Sequence, residues 1–426
     1  MARDAERGPA IDARERGRLR TFRSLDDRNF RWFLTSIFSG FTSNDMQQFL
    51  RGWLVFELTD SYAALGLMSL LNGMTGLLLA LVGGVVADLV KQRKYVVQIG
   101  QGLSGLNALV LALLVFSDLL RVEHVLIAAA IHGGSNNLTM PSRQALTPDV
   151  VGPARLMNAM GLYSTSQNAA KLLMPGLAGG MVGALSDPGT IGGAAYVYVL
   201  IFVIYTFSVA TMFPVRVPDR SPGERSFASL RGDLADGFRF VAGHRPLAVL
   251  LICNPIFALL GLGHFVLLPG FAKEVLDAGP AQLGLLTSVS GVGAVVGSLV
   301  VASLPGRRRG TLMLASSVLL GGSLVAFAAS TSYWLSLLLI LFVGFGQAGY
   351  LGLMNVLVQV LAGNTHRGRV MSIYMMEFNI TQLMLFGVGI VTSIYGPQAT
   401  FAAVGASLVA LSLVLLARSP TLRGIE

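Results

Sequence analysis

The chain has 426 residues, 53% hydrophobic and only 12% charged, with a mean hydropathy of +0.66. A soluble domain carries about 25% charged residues, so this composition cannot cover a water-soluble particle and identifies an integral membrane protein. The net charge of +9 would suggest nucleic acid on a soluble protein, but the placement of the charges argues for a lipid bilayer as partner and against nucleic acid.

Residues 1–28 form a basic tail without an early apolar core, so no cleavable signal is expected. A membrane helix needs roughly 20 apolar residues. Runs of that kind predict helices over 29–58, 61–87, 95–117, 123–146, 156–185, 193–214, 247–272, 280–304, 310–330, 332–360, 370–395 and 397–417. The fold class is therefore all-α: twelve transmembrane helices in two pseudo-symmetric six-helix bundles, 29–214 and 247–417. A cytoplasmic linker over 215–246 carries an amphipathic segment, "SFASLRGDLADGFRFV", suited to a membrane surface. Residues 418–426 form a cytoplasmic tail.

The first helix contains "TSNDMQQFLR" (42–51). Ionisable groups at membrane depth cost several kcal/mol and are usually functional. Asn44, Gln47, Gln48 and Arg51 fall at helical spacing on one face, with Asp45 beside them. The stripe predicts a cavity lining in which Asp45 carries protons and Arg51 attracts an anion or holds Asp45 ionised. A packing pair, or an Arg51 that snorkels to the surface, is the structural alternative. The fourth helix offers His132 and Asn136 at i, i+4, with Asn137 and Arg143; Arg143 is also counted with the basic loop that follows. The fifth offers Lys171 near Gln167 and Asn168, and the glycines of "PGLAGGMVG" for close packing. The seventh offers Asn254 and His264. The tenth offers Gln347, Tyr350, Asn355 and Gln359. Glu377 lies roughly 10 Å into the eleventh helix and is the second carboxylate that could couple protons, or else part of a salt bridge between the halves. Cys253, alone in an apolar run, permits no disulfide.

Arg121 and Lys273 are the basic residues of the loops on one side, and Arg51 and Lys171 fall within helices. The rest of the 31 Lys and Arg lie in the tail and first turn, in the loops after helices two, four, eight and ten, in the linker and at the C-terminus. The positive-inside rule then places both termini in the cytoplasm of a multi-pass cell-membrane protein. The halves look related: "ARLMNAMGLY" from Ala154 and "GRVMSIYMME" from Gly368 align Arg155 with Arg369 and Met157 with Met371, a repeat typical of secondary transporters.

This plan resembles the major facilitator superfamily. "GVVADLVKQRK", from Gly84, is similar to that superfamily's signature between helices two and three through Gly84, Ala87, Asp88 and Arg93, with Leu89, Lys91 and Gln92 departing from it. The resemblance implies a cytoplasmic gate in which Asp88 faces the start of helix eleven near Arg369. It also implies a cavity lined by helices one, four, seven and ten. "RGWLVFELTDSYAALGL", "PSRQALTPDVV", "PGLAGG" and "RGRVMSIY" are similar to segments of the enterobactin-exporter and macrolide-efflux-like branch.

"GVGAVVG" (291–297) has the wrong spacing for a dinucleotide loop and sits inside an apolar helix. No phosphate-binding loop, metal-ligand spacing or catalytic triad is visible, so no cofactor, no metal and no enzyme activity is expected. The resemblance implies a monomeric, proton-coupled exporter of an amphipathic small molecule such as a siderophore, macrolide or drug. A lipid or lysolipid transporter of the same fold, or a non-transporting receptor, are the alternatives.

Overall fold

In the computed structural model residues 24–152, 155–187, 189–218, 227–303 and 308–419 are described. Most of the basic tail, the Pro222 stretch, Arg307 and the side chain of Asp88 lie outside the described set. Among the described residues the chain forms thirteen α-helices. These are α1 (Arg28–Thr59), α2 (Tyr62–Leu89), α3 (Arg93–Phe116), α4 (Val122–Val151), α5 (Leu156–Leu185), α6 (Gly193–Met212) and α7 (Phe227–Gly243). They continue as α8 (Arg245–Glu274), α9 (Pro280–Ser303), α10 (Arg309–Ala329), α11 (Tyr333–Gly363), α12 (His366–Tyr395) and α13 (Pro397–Arg418).

Local chemistry sets the boundaries. Asp27 caps α1 by accepting from the Asn29 amide at 2.8 Å. Ser61 caps α2 by accepting from the Ala64 amide. Gly363 (φ 61°, ψ 176°) breaks an otherwise continuous helix into α11 and α12, a backbone conformation that glycine adopts without strain. Asp60, Asp118 and Asp277 sit in left-handed turns at one end of the molecule, where short polar side chains are tolerated. That end is the acidic end; the helix ends near Arg93, Arg155, Arg308 and Arg369 form the basic end.

Among the described residues, nine helices are long and apolar enough to cross a membrane by themselves. Besides the short α7, the helices below that threshold are α1, α4 and α5, which carry the polar stretches singled out above. Several of their polar groups, Gln47, Arg51 and His132 among them, are covered by neighbours: α1 packs on α4, α5 and α6, and α2 on α4. The outward surface is apolar, with Ile99, Leu106, Leu113, Val203, Phe207, Leu335 and Leu338 exposed, as lipid contact requires. Among α8–α13 an aromatic cluster of Phe271, Phe327 and Phe401 joins α8, α10 and α13.

Two seams join α1–α6 to α8–α13. Along α2 and α12, Gly66 meets Phe386, Gly73 meets Gln382 and Gly389 meets Tyr62. Along α5 and α9, Gly176 meets Ser288, Gly179 meets Pro280 and Gly183 meets Ala281. A Cβ on Gly176 would stand 2.7 Å from Ser288 Oγ, so a larger residue there would part the helices. The small-residue stripe is thus Gly176–Gly179–Gly183; Gly180, also read as part of it, has open space beside it. These contacts fall in the half of each helix nearer the acidic end.

One boundary corrects the sequence reading. Helix α4 runs to Val151 through Pro141 and Pro148, so Arg143 is a helical residue two turns inside rather than part of a basic loop. Prolines are tolerated in membrane helices because neighbours satisfy the freed carbonyls.

Candidate functional site

The stripe on α1 is divided by its neighbours. Gln48 is exposed, while Gln47 and Arg51 are buried. Asp45 is 8% exposed; its Oδ1 accepts from Asn44 Nδ2 at 3.1 Å and its Oδ2 has no partner. Lys171 on α5 supplies the opposing charge. Arg51 neither snorkels nor meets a carboxylate. It is 2% exposed, its guanidinium donates to the Ala128 carbonyl at 3.4 Å, and that carbonyl also accepts from Asn107 Nδ2 at 2.9 Å. Tyr198 and Tyr205 of α6 and His132 of α4 surround it.

His132 and Asn136 come together on the wall of a polar cleft between α1, α3, α4 and α6. Arg143 reaches the same cleft, with Thr139 Oγ1 at 3.4 Å and the Phe41 ring 5.7 Å beneath its guanidinium. Gln101 and Ser104 of α3 complete it. Sequence reasoning passed over Gln101, although Gln98, Gln101, Ser104 and Asn107 recur every three residues along α3 and all are buried.

The second group lies among α8, α11 and α12. Asn254 Nδ2 donates to Glu377 Oε2 at 2.6 Å, and the Tyr350 hydroxyl donates to Asn254 Oδ1. The Phe257 ring stacks on Tyr350 at 5.6 Å. Glu377 is 6% exposed, and among the described residues no cation pairs with it. An apolar cleft of about 220 Å³, walled by Leu250, Met313 and Met354, adjoins Asn254 and Tyr350. Asn355 is half-buried and accepts from Gln359 at 2.6 Å. Gln347 is buried. His264 is buried against Phe265 and makes no hydrogen bond to this group. The polar group continues across the α2–α12 seam, where Asn379 donates to Asn137 at 3.3 Å.

Of the expected gate residues, Asp88 has its side chain outside the described residues, and the contacts of Arg93 and Arg369 that are described run to other partners. Arg93 lies 3.4 Å from Asp149 of α4, and Arg369 lies 3.7 Å from Asp236 of α7. His366 stacks on Phe240 of the same linker helix at 3.9 Å. Gly84 has open space around it. A clasp that the sequence did not suggest closes the acidic end: Lys273 of α8 pairs with Glu57 at 3.3 Å and with Asp60 at 2.9 Å, and the Tyr62 hydroxyl donates to Glu274 at 2.9 Å. Among the described residues no group of His, Cys, Asp and Glu could hold a metal ion.

The arrangement suits proton and ligand exchange: two buried acids, each bonded to a neutral amide, lie in halves joined along two seams and by the clasp. Residues 20–423 match the family described as transmembrane secretion effectors. The multidrug efflux pump Tap of Mycolicibacterium fortuitum is 26% identical over 85% of this chain and 88% of its own. The staphyloferrin A transporter of Staphylococcus aureus is 21% identical over 90% of this chain and 94% of its own. Among solved structures, the nucleoside transporter NupG superimposes with a TM-score of 0.72 at 13% identity, over 92% of this chain and 99% of that one; at that identity the likeness concerns the fold alone.

Proposed function

The chain belongs to the transmembrane secretion effector family of major facilitator transporters, and on that premise we propose that it exports an amphipathic small molecule in exchange for protons. All twelve long helices, α7 excluded, cross the cell membrane as two six-helix bundles. The basic end and both termini face the cytoplasm, in keeping with the positive-inside rule. The protein works as a monomer. Its relatives' names, a multidrug efflux pump and a siderophore transporter, support this substrate range.

The observation that carries the reading is Glu377, a buried acid held by Asn254 from another helix, with no cation paired to it among the described residues. Protonation removes its charge from an apolar setting and gives it a donor, so the Asn254–Tyr350 arrangement must answer to its state. Asp45 plays the matching part on α1. The seams and the Lys273 clasp close the acidic end, while Gln48, Ser164, Thr165, Asn168 and Lys171 are exposed nearer the middle and the basic end. Lipid would not accept those groups; they line a water-filled cleft open to the cytoplasm. Rocking of the bundles about the central site then alternates access.

The test uses inverted membrane vesicles holding an acid-inside gradient, followed with a pH-sensitive dye. A panel of siderophores, macrolides and cationic dyes is added to wild type, Glu377→Gln and Asp45→Asn. A compound that collapses the gradient only in wild type supports the reading. Full collapse by both variants would refute it.

A further inference from the structure

The cleft between α1, α3, α4 and α6 has more hydrogen-bonding capacity than the protein uses. Gln101, His132 and Ser135 are each at least nine-tenths buried. Both amide atoms of Gln101, Nδ1 of His132, Oγ of Ser135 and Nε of Arg143 have no partner. Buried polar groups are normally satisfied, so a cluster left open around one cavity marks a place for something else to bind. Most of these groups donate: the Gln101 amide, the Ser135 hydroxyl and the Arg143 guanidinium, whose planar fork matches a carboxylate.

The charge around the cleft has the same sense. Arg51 and Arg143 both lie at membrane depth, and among the described residues neither meets a carboxylate. The nearby acid, Asp45, bonds to Asn44 and is opposed by Lys171. Arg143, which lines the cleft, is left without a carboxylate among the described residues, and an anionic ligand would neutralise it. The ring beneath Arg143 belongs to Phe41, which Tyr163 of α5 holds edge-on at 5.3 Å. This buried ring backs the guanidinium from one side. Asn44, Asn136 and Arg143 are only half-buried, so the cleft is not sealed within the helices.

We propose that this cleft is a carboxylate subsite: the exported molecule carries an acidic group that docks on Arg143, Gln101 and Ser135. The proposal rests on the export reading but can fail without it, because it concerns binding alone.

The experiment measures fluorescence anisotropy of two dyes on the full chain in lipid nanodiscs. Carboxyfluorescein and rhodamine 6G share a ring system; the first bears free carboxylates, the second an ester and a positive charge. Wild type should bind carboxyfluorescein more tightly. Arg143→Gln should weaken that binding by about tenfold or more, the scale of one charge-assisted hydrogen bond, and leave rhodamine 6G unweakened. Arg143→Lys should fall between. Gln101→Leu gives a second readout should Arg143→Gln fail to fold, as judged by size exclusion and melting. No carboxyfluorescein binding, equal binding of the two dyes, or unchanged carboxyfluorescein binding in Arg143→Gln and Gln101→Leu would each overturn the subsite. Failure of Glu377→Gln to alter vesicle transport would instead strike at proton coupling and leave the subsite standing.

Discussion

The polar interiors of the two halves differ in kind. Among α1–α6 the polar interior holds two arginines without a described carboxylate, Arg51 and Arg143, together with Gln101, His132 and Ser135, whose side chains carry atoms without a partner among the described residues. Among α8–α13 the central group is an acid closed on neutral partners, with Glu377, Asn254 and Tyr350 forming a chain of hydrogen bonds against an aromatic ring. Unsatisfied donors are costly to bury and persist where a ligand or water completes them. A satisfied acid that can gain or lose a proton has no such need. On the proposed reading the difference assigns the carboxylate subsite to the first half and the hydrogen-bonded acid Glu377 to the second, with Asp45 as a further acid in the first.

The strongest way to break that division is Glu377→Gln. Removing a positioned proton carrier commonly costs a factor of about 10² or more. Coupled transport in vesicles should fall by at least that, while carboxyfluorescein binding in nanodiscs stays within about threefold of wild type. A parallel loss of binding would merge the two sites. Asn254→Leu should act next: it leaves Glu377 and Tyr350 without their shared partner, a loss of about 1–3 kcal/mol, read as a lower melting temperature and roughly tenfold slower proton exchange.

Arg51→Met sharpens the comparison from the other side. A buried cation without a counter-ion contributes little to stability, and replacing buried charges with apolar groups of similar size is often neutral or stabilising. The melting temperature should hold or rise while carboxyfluorescein binding weakens modestly; a collapse of folding would make Arg51 a structural post. The smallest effect is expected from Lys273→Ala at the acidic end. The pairs it removes are partly exposed, at 39% for the lysine, and such pairs are worth under about 1 kcal/mol each. A slight rise in accessibility of a cysteine-reactive dye to a probe at Ser61 would report the loosened clasp.

Helix positions were legible because long apolar runs alternate with charged turns, and a bilayer imposes both. The candidate acids were legible too, since Asp45 and Glu377 are conspicuous in apolar surroundings. Their partners were not: Asn254 stands 123 residues from Glu377, and Lys273 stands 213 from Asp60, separations across which spacing carries no information. Arg143 was half-lost to "MPSRQ", where proline and charge read as a helix end although neighbouring helices carry α4 onward. Gln101 was available in principle, as one of a buried polar series every third residue, but glutamine and serine in a membrane helix attract less notice than a charge.

The linker is fastened at both ends. Arg216 exchanges two hydrogen bonds with Asn29, at 2.7 and 2.8 Å, which fixes it to the first half. Helix α7 is held to α12 by Asp236 and Phe240, which fixes it to the second. While both anchors hold, one stretch of chain ties the two halves together at the basic end, and any parting of the halves there is limited by the length of chain between Arg216 and Asp236.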